Sequence, residues 1–402
     1  MTAWLTVIGI GDDGVAGLTL AARALVESAE IIVGGARHLA MAPEGAAERL
    51  PWRQPFADSI AAIAARRGRR VVVLASGDPM WFGAGALLSG HFTREEMLVL
   101  PHPGAFSLVA ARLGWAIADC ALLSLHGRPL DSLRLHLAEG RRALILAEDG
   151  TTPLKMARLL TGLGWGPSRL AVFEHLGGAA EASHTAAAQD WGKRRAADLN
   201  TVALECRAAP GVRGLSRLAG LPDEAFEHDG QLTKREIRAA TLARLAPVPG
   251  ELLWDVGAGS GSIAIEWLRA DTGLSAVAVE RDPARAASIA RNAALLGVPG
   301  LRIVAGAAPQ ALAGLDTPDA IFAGGGIAEP ELLPALWRAL RPGGRLVANA
   351  VSTEGERVLL EWQARQGGDL TRLAVSRVET LGGRHAWRPA LAVTQWVAVK
   401  PG

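Results

Sequence analysis

Tyrosine is absent from this chain of 402 residues, and only two cysteines, Cys120 and Cys206, occur in it. Two thiols support neither a disulfide framework nor a cysteine-rich metal site, which fits a reducing cytoplasm. Excess charge of one sign is lacking too. The 42 Lys and Arg stand against 40 Asp and Glu, a formal net charge of +2. With no basic field, no tyrosine and scattered tryptophans, a nucleic-acid surface has little to build on. No apolar run reaches the length of a membrane span, because charges or glycines cut each one. The start does not read as a signal peptide either. Met1-Thr2-Ala3-Trp4 carries no basic side chain, and Leu5 to Ile10 is only strand length. The expectation is a soluble, cytoplasmic protein with neither nucleic acid nor membrane as partner. Lysine is confined to Lys155, Lys193, Lys234 and Lys400, so arginine carries the basic charge. Its planar fork suits a polycarboxylate substrate, although GC-rich coding would produce the same excess.

Half of the residues are apolar, and the length suits two domains of about 200 residues each. In the first half, strands are expected at Trp4–Ile10, Val71–Ala75, Met97–Leu100, Ala143–Ala147, Leu170–Phe173 and Thr201–Cys206. Amphipathic helices such as Thr19–Ala29, Asp58–Arg67 and Pro153–Leu160 alternate with them, which predicts an α/β layer fold. Residues 208–229, with Pro210-Gly211 and Leu221-Pro222-Asp223, read as a linker between domains 1–207 and 230–402. Strands resume at Leu252–Val256, Ala276–Glu280, Arg302–Ala305, Ala320–Ala323 and Arg345–Ala350, with a late pair near Thr371–Arg377 and Ala392–Val399. Five parallel strands and a returning edge pair predict a doubly wound sheet with its ligand at the strand carboxyl ends.

The sharpest feature of the second half is the turn Asp255-Val256-Gly257-Ala258-Gly259-Ser260-Gly261-Ser262. Its glycines let backbone approach a ligand, and the following helix start offers unpaired N–H groups. About twenty residues on, Glu280 ends the next strand, placed to grip a ribose diol. The third glycine comes one residue earlier than in the dinucleotide fingerprint, and Asp255 would repel a pyrophosphate. A carboxylate there suits S-adenosyl-L-methionine, which carries an ammonium and a sulfonium and no phosphate. Thr233 and Glu236 have the spacing of a capping box for a helix Lys234–Leu245. Gly306-Ala307-Ala308-Pro309 would let an adenine rest on backbone amides near Ala308, although Ala307 stands where many class I methyltransferases carry an acid. Phe322-Ala323-Gly324-Gly325-Gly326 would leave room for a bulky substrate, or is simply a flexible loop.

The first half opens with a strand and turn, Val7-Ile8-Gly9-Ile10-Gly11-Asp12. It continues with Ala75-Ser76-Gly77-Asp78-Pro79, Pro103-Gly104-Ala105-Phe106-Ser107 and Leu125-His126-Gly127-Arg128. Together these resemble the class III tetrapyrrole methylases, which bind S-adenosylmethionine between two α/β lobes. The Leu-His-Gly-Arg run is similar to the branch that methylates precorrin carbon 5. In the second half, His228 to Arg238, the glycine turn, Ile265-Glu266-Trp267, Glu280-Arg281-Asp282-Pro283 and Gly306 to Pro309 resemble the class I, Rossmann-like enzymes that methylate carbon 15 with decarboxylation. Both resemblances occur in the order of the fused C5,15-methyltransferase family of cobalamin synthesis.

That resemblance implies two S-adenosylmethionine sites, a precorrin substrate and a homo-oligomer. The implied cofactor residues of the second half are Thr233, Asp255, Gly257, Ala258, Gly259, Ser260, Gly261, Glu280 and Ala308, with Thr233 closing over the ligand. Those of the first half are Gly9, Gly77, Asp78, Phe82 and Ser107. His126, Arg128 and Glu266 are the catalytic candidates, and Arg128 and Arg238 are candidates to meet substrate carboxylates. Bridge carbons of these intermediates are enamine-like, so neither a protein nucleophile nor a metal is called for, and no metal site is expected. A class I RNA methyltransferase and a non-catalytic nucleotide-binding scaffold stay open as alternatives at this point.

Overall fold

The computed structural model describes residues 3–402; Met1 and Thr2, part of the N-terminal reading above, lie outside the described residues. The chain forms two compact units. One holds the residues up to Leu130 together with Ala138–Arg213, the other Asp131–Leu137 together with Gly214–Gly402.

In the first unit, β1 (Leu5–Ile10), β2 (Ile31–Gly34), β3 (Glu48–Pro51), β4 (Val71–Ser76) and β5 (Met97–Leu100) make an all-parallel sheet ordered β3-β2-β4-β1-β5. The central strands β1 and β4 are mostly apolar and buried, apart from Ser76 at the end of β4, because helices cover both faces. Alternate side chains sort to opposite sides. Leu5, Val7, Val71 and Val73 pack with Ile63, while Ile8, Ile10, Val72 and Leu74 pack with Ala22 and Val26. The helix Leu20–Glu27 starts where the Thr19 hydroxyl accepts a hydrogen bond from Ala22 N at 3.2 Å.

A second sheet in this unit follows, ordered β6-β7-β10-β8-β9. It comprises β6 (Cys120–Ser124), β7 (Arg142–Leu146), β8 (Arg169–Glu174), β9 (Ala182–Ala187) and β10 (Asn200–Glu205). Only β6 and β7 run parallel. Sequence periodicity missed β2, β3, β6 and β9. β2 is only four residues long, and β3 and β9 are polar edge strands reading ERLP and ASHTAA. β6 is a half-buried edge, CALLS.

The second unit contains β11 (Leu252–Val256), β12 (Ser275–Glu280), β13 (Arg302–Ala305), β14 (Ala320–Ala323), β15 (Arg345–Ala350), β16 (Asp369–Leu373), β17 (Ser376–Leu381), β18 (Arg384–Pro389) and β19 (Val393–Val399). Seven of them form one sheet ordered β13-β12-β11-β14-β15-β19-β16, parallel through β15 and antiparallel beyond it. The expected strand Thr371–Arg377 in fact divides. Leu373 ends the pairing with β19, and Ser376 begins a separate exposed hairpin, β17–β18. The hairpin turns on Gly382-Gly383, both at positive φ, where glycine pairs are favoured.

Residues 217–227, expected to be linker, are strapped onto this second unit. The Arg217 Nε–H donates to Arg269 O at 2.8 Å, and Glu227 N to Asn292 Oδ1 at 2.8 Å. Among the described residues, no helix is long and apolar enough to cross a membrane.

Candidate functional site: two glycine turns and their cavities

In the second unit the glycine turn separates two cavities at the carboxyl ends of the strands. One, of about 690 Å³, is lined by Gly257, Gly259, Glu280, Arg285, Ala308 and Gly324, with Glu329 and Glu331 across from them. The other, of about 530 Å³, is more apolar and is bounded by Leu232, Thr233, Ala258, Ser260, Ile263, Phe322 and Leu391. Gly257 and Gly259 belong to both walls. Each sits at positive φ, 70° and 59°, and a Cβ on Gly257 would press on Gly325 N at 3.1 Å. Gly261 is left-handed too but serves packing rather than ligand contact. Its missing Cβ would lie 2.7 Å from Ile289 Cγ2.

Two carboxylates order this turn. Glu280 Oε2 accepts from Gly259 N at 2.8 Å and Oε1 from Asp282 N at 3.0 Å, at the floor of the larger cavity. Asp255 lies beneath the turn, fully buried, and lines neither cavity wall. Its Oδ2 accepts from Ala264 N at 3.0 Å, while Oδ1 has no hydrogen-bond partner. Burial, with the charge of Glu280 adding, pushes the Asp255 carboxyl up to about 7 against the pull of the Ala264 amide.

Three expectations in this half are corrected. Glu266 is no catalytic group. It is buried, with Oε1 accepting from Arg238 Nε at 2.6 Å and from Leu221 N at 3.0 Å, and Oε2 from Gly220 N at 2.6 Å. Arg238 is fully buried as well. It pairs with Glu266, Asp223 and the Leu221 and Thr233 carbonyls, and its guanidinium sits over the Phe226 ring, leaving nothing for a substrate. The capping box is absent. The helix Arg235–Leu245 is entered at Lys234 with no side-chain cap, because Glu236 turns outward to accept from Arg377 Nη2 at 2.6 Å.

In the first unit a cavity of about 300 Å³ opens where β1 and β4 end. Ile10, Gly11, Gly77, Asp78, Trp81 and Ser107 line it, with Asn200 and Thr201 at the start of β10. Gly77 at φ 55° is required, since a Cβ would meet Gly104 Cα at 2.6 Å. Asp78 Oδ1 accepts from Met80 N at 2.9 Å and fixes the Ser-Gly-Asp-Pro turn. Gly9 does not line the cavity. A Cβ there would collide with Gly77 O and reach within 2.6 Å of His102 N, so it holds two loops together instead. Phe82 also stands off the cavity, half exposed at φ 55°, and Trp81 takes the position expected of it. His126 and Arg128 lie exposed on the turn after β6. Arg128 stacks over Phe82 at 4.8 Å, and neither residue lines the cavity.

Sequence reading missed the polar cluster at this cavity. Arg37 Nη1 donates to Asp12 Oδ1 at 2.9 Å and Nη2 to the Ser76 hydroxyl at 2.9 Å, while His38 Nε2 lies 2.9 Å from the same hydroxyl. Burial, aided by the Arg37 charge, pushes His38 down to about 4, so its ring is neutral. Gly34-Gly35 precede Arg37 and His38, but no motif spacing marks the pair; only the fold brings them to Ser76.

Residues 5–190 match the model of the tetrapyrrole (corrin/porphyrin) methylases, and residues 224–400 match that of the precorrin methyltransferase domain. A Sinorhizobium protein named precorrin-6Y C(5,15)-methyltransferase [decarboxylating] is 51% identical over 98% of this chain and 96% of its own length. The chain belongs to the decarboxylating precorrin-6Y C5,15-methyltransferases. The two halves also have separate relatives. A Salmonella typhimurium cobalt-precorrin-7 C(5)-methyltransferase is 34% identical over 43% of this chain and 85% of its own. A Pyrobaculum aerophilum protein named as a probable cobalt-precorrin-6B C(15)-methyltransferase (decarboxylating) is 34% identical over 41% and 87%. As a C5,15-methyltransferase the chain is an S-adenosylmethionine-dependent enzyme, and the second unit fits that cofactor. Glu280 on the cavity wall suits the ribose hydroxyls, and the bare glycine backbone admits the ligand against β11.

Proposed function

We propose that each unit holds one S-adenosylmethionine. In this reading the second unit methylates carbon 15 of precorrin-6B and releases the ring C acetate carboxyl as carbon dioxide. The first unit then methylates carbon 5, giving precorrin-8X. The observation carrying this is the shared wall in the second unit, where Gly257 and Gly259 border both a polar cavity and an apolar one. Cofactor on the Glu280 side and tetrapyrrole on the Leu391 side would meet where the two cavities adjoin at Gly257, Gly259 and Gly324. Methyl group and receiving carbon would there come into direct contact.

S-adenosylmethionine supplies the methyl group as an electrophilic sulfonium. The protein's part is position and environment. Glu280 pins the turn through Gly259 N and accepts the ribose hydroxyls. Asp255 supports the turn from beneath through Ala264 N. Ile263 and Phe322 keep water from the reacting carbon. In the first unit Gly77, Asp78 and Ser107 hold the cofactor beside Trp81.

Incubating the full chain with precorrin-6B and methyl-labelled S-adenosylmethionine tests the reading. Two labelled methyl groups, at carbons 5 and 15, and one carbon dioxide per product are expected. A single transfer without carbon dioxide would overturn it.

A further inference from the structure

The hairpin β17–β18 forms one side of the apolar cavity, and its register carries an arrangement that folding alone does not favour. Arg377 and Arg388 are directly opposed across the two strands, and both line the cavity. Like charges at facing positions, with Cβ atoms about 5 Å apart, destabilise a strand pair. Here each guanidinium has one carboxylate at hand. Arg377 Nη2 meets Glu236 Oε2 at 2.6 Å, and Arg388 Nη1 meets Glu379 Oε2 at 3.1 Å. All four side chains are about half exposed or more, so these pairs contribute little to stability. Lys234, another cavity-lining cation, adds positive charge to the same rim.

We infer that Arg377 and Arg388 form a receptor for side-chain carboxylates of the tetrapyrrole, resting on the reading that the apolar cavity holds that substrate. Glu236 and Glu379 keep the forks oriented until substrate carboxylates replace them, and bidentate geometry then fixes the macrocycle's edge. The carboxylates so held are those that remain. A guanidinium on the departing acetate would stabilise the charged ground state more than the transition state, in which the charge leaves that carboxyl, and so would slow its loss. Anchoring the other carboxylates at the rim turns the ring C acetate toward the buried Ile263 and Phe322, where desolvation favours release. Arg377 and Arg388 are thus specificity residues, acting on binding rather than on the bond-breaking step.

The test varies precorrin-6B at saturating S-adenosylmethionine and follows carbon dioxide release by the full chain. For R377A/R388A, KM should rise about 30-fold with kcat nearly unchanged and with S-adenosylmethionine affinity intact, while R377K/R388K should recover part of the loss. Two results overturn the inference: a KM within about twofold of wild type, or a kcat that falls while KM stays put. If wild-type protein releases no carbon dioxide, the carbon-15 reading itself falls and takes the receptor with it. Wild-type release with an unaltered double variant sinks the receptor alone.

Discussion

The two halves answer the same demand, a methyl donor held beside a strand end, with opposite electrostatics. In the second, order comes from buried charge: Arg238 and Glu266 fully enclosed, Asp255 sealed beneath a turn. In the first, it comes from a half-exposed chain of polar contacts, His175 to Asp12 to Arg37 to Ser76. Enclosed charges are expensive to break and insensitive to salt, whereas open ones are cheap and screened. One domain therefore keeps its site rigid through its core, and the other through contacts that a ligand can rearrange.

The largest effect expected follows from that contrast. Arg238→Ala leaves Glu266 buried without its cation and removes the anchors to Asp223 and the Leu221 carbonyl, at a cost of about 3–5 kcal/mol. Arg37→Ala, breaking a pair whose arginine is 35% exposed, should cost about 1 kcal/mol or less. Denaturant unfolding of both variants measures this, and equal losses would erase the distinction. Next come the glycines. Gly257→Ala strains a left-handed turn against Gly325 and should lower carbon-15 methylation and decarboxylation about 100-fold, and with them the carbon-5 transfer that follows. Gly77→Ala should instead leave a product decarboxylated and methylated at carbon 15 but not at carbon 5. Mapping the methyl groups on the product checks both, and a Gly77→Ala variant that loses both transfers would show that the turns do not serve separate reactions.

Much of this was legible in the sequence, for reasons that differ between elements. The central parallel strands β11, β14 and β15 were readable to the residue because burial on both faces demands short apolar runs, and the edge strand β13 was readable from Ile303-Val304. Edge strands such as β3 and β9 were not, since one face is wet and pairing rather than composition makes them strands. Glycine turns announce themselves because only glycine tolerates their φ, so Gly77, Gly257 and Gly259 were found at once. Side-chain partnerships do not. Glu266 and Arg238 looked like site residues because they are charges near a motif, yet they neutralise each other, 28 positions apart, inside the core. Arg377 and Arg388 went unremarked because only hairpin pairing makes them face each other.

The effect cleanest in sign concerns pH. Asp255 is raised to about 7 from an ordinary value of 3.8, so between these values the folded state binds the extra proton. Stability from this group is therefore present at low pH and declines as pH climbs from about 4 to 7. His38 is lowered to about 4 from 6.5, so there the unfolded state binds the extra proton, and stability is lost as pH falls from 6.5 towards 4. One half thus loses stability on the alkaline side of the interval in which the other loses it on the acid side. Asp255→Asn should flatten the first slope without touching the second, and His38→Gln the second without the first. Unfolding followed across this interval, with tryptophan fluorescence and hydrogen exchange resolving the halves, reads both slopes. Adding S-adenosylmethionine sharpens the comparison: Asp255 lies beneath the turn and off both cavity walls, so its midpoint should stay near 7 when ligand binds. A midpoint pulled down by ligand would instead put Asp255 in contact with the cofactor and give it more than the task of holding Ala264 N.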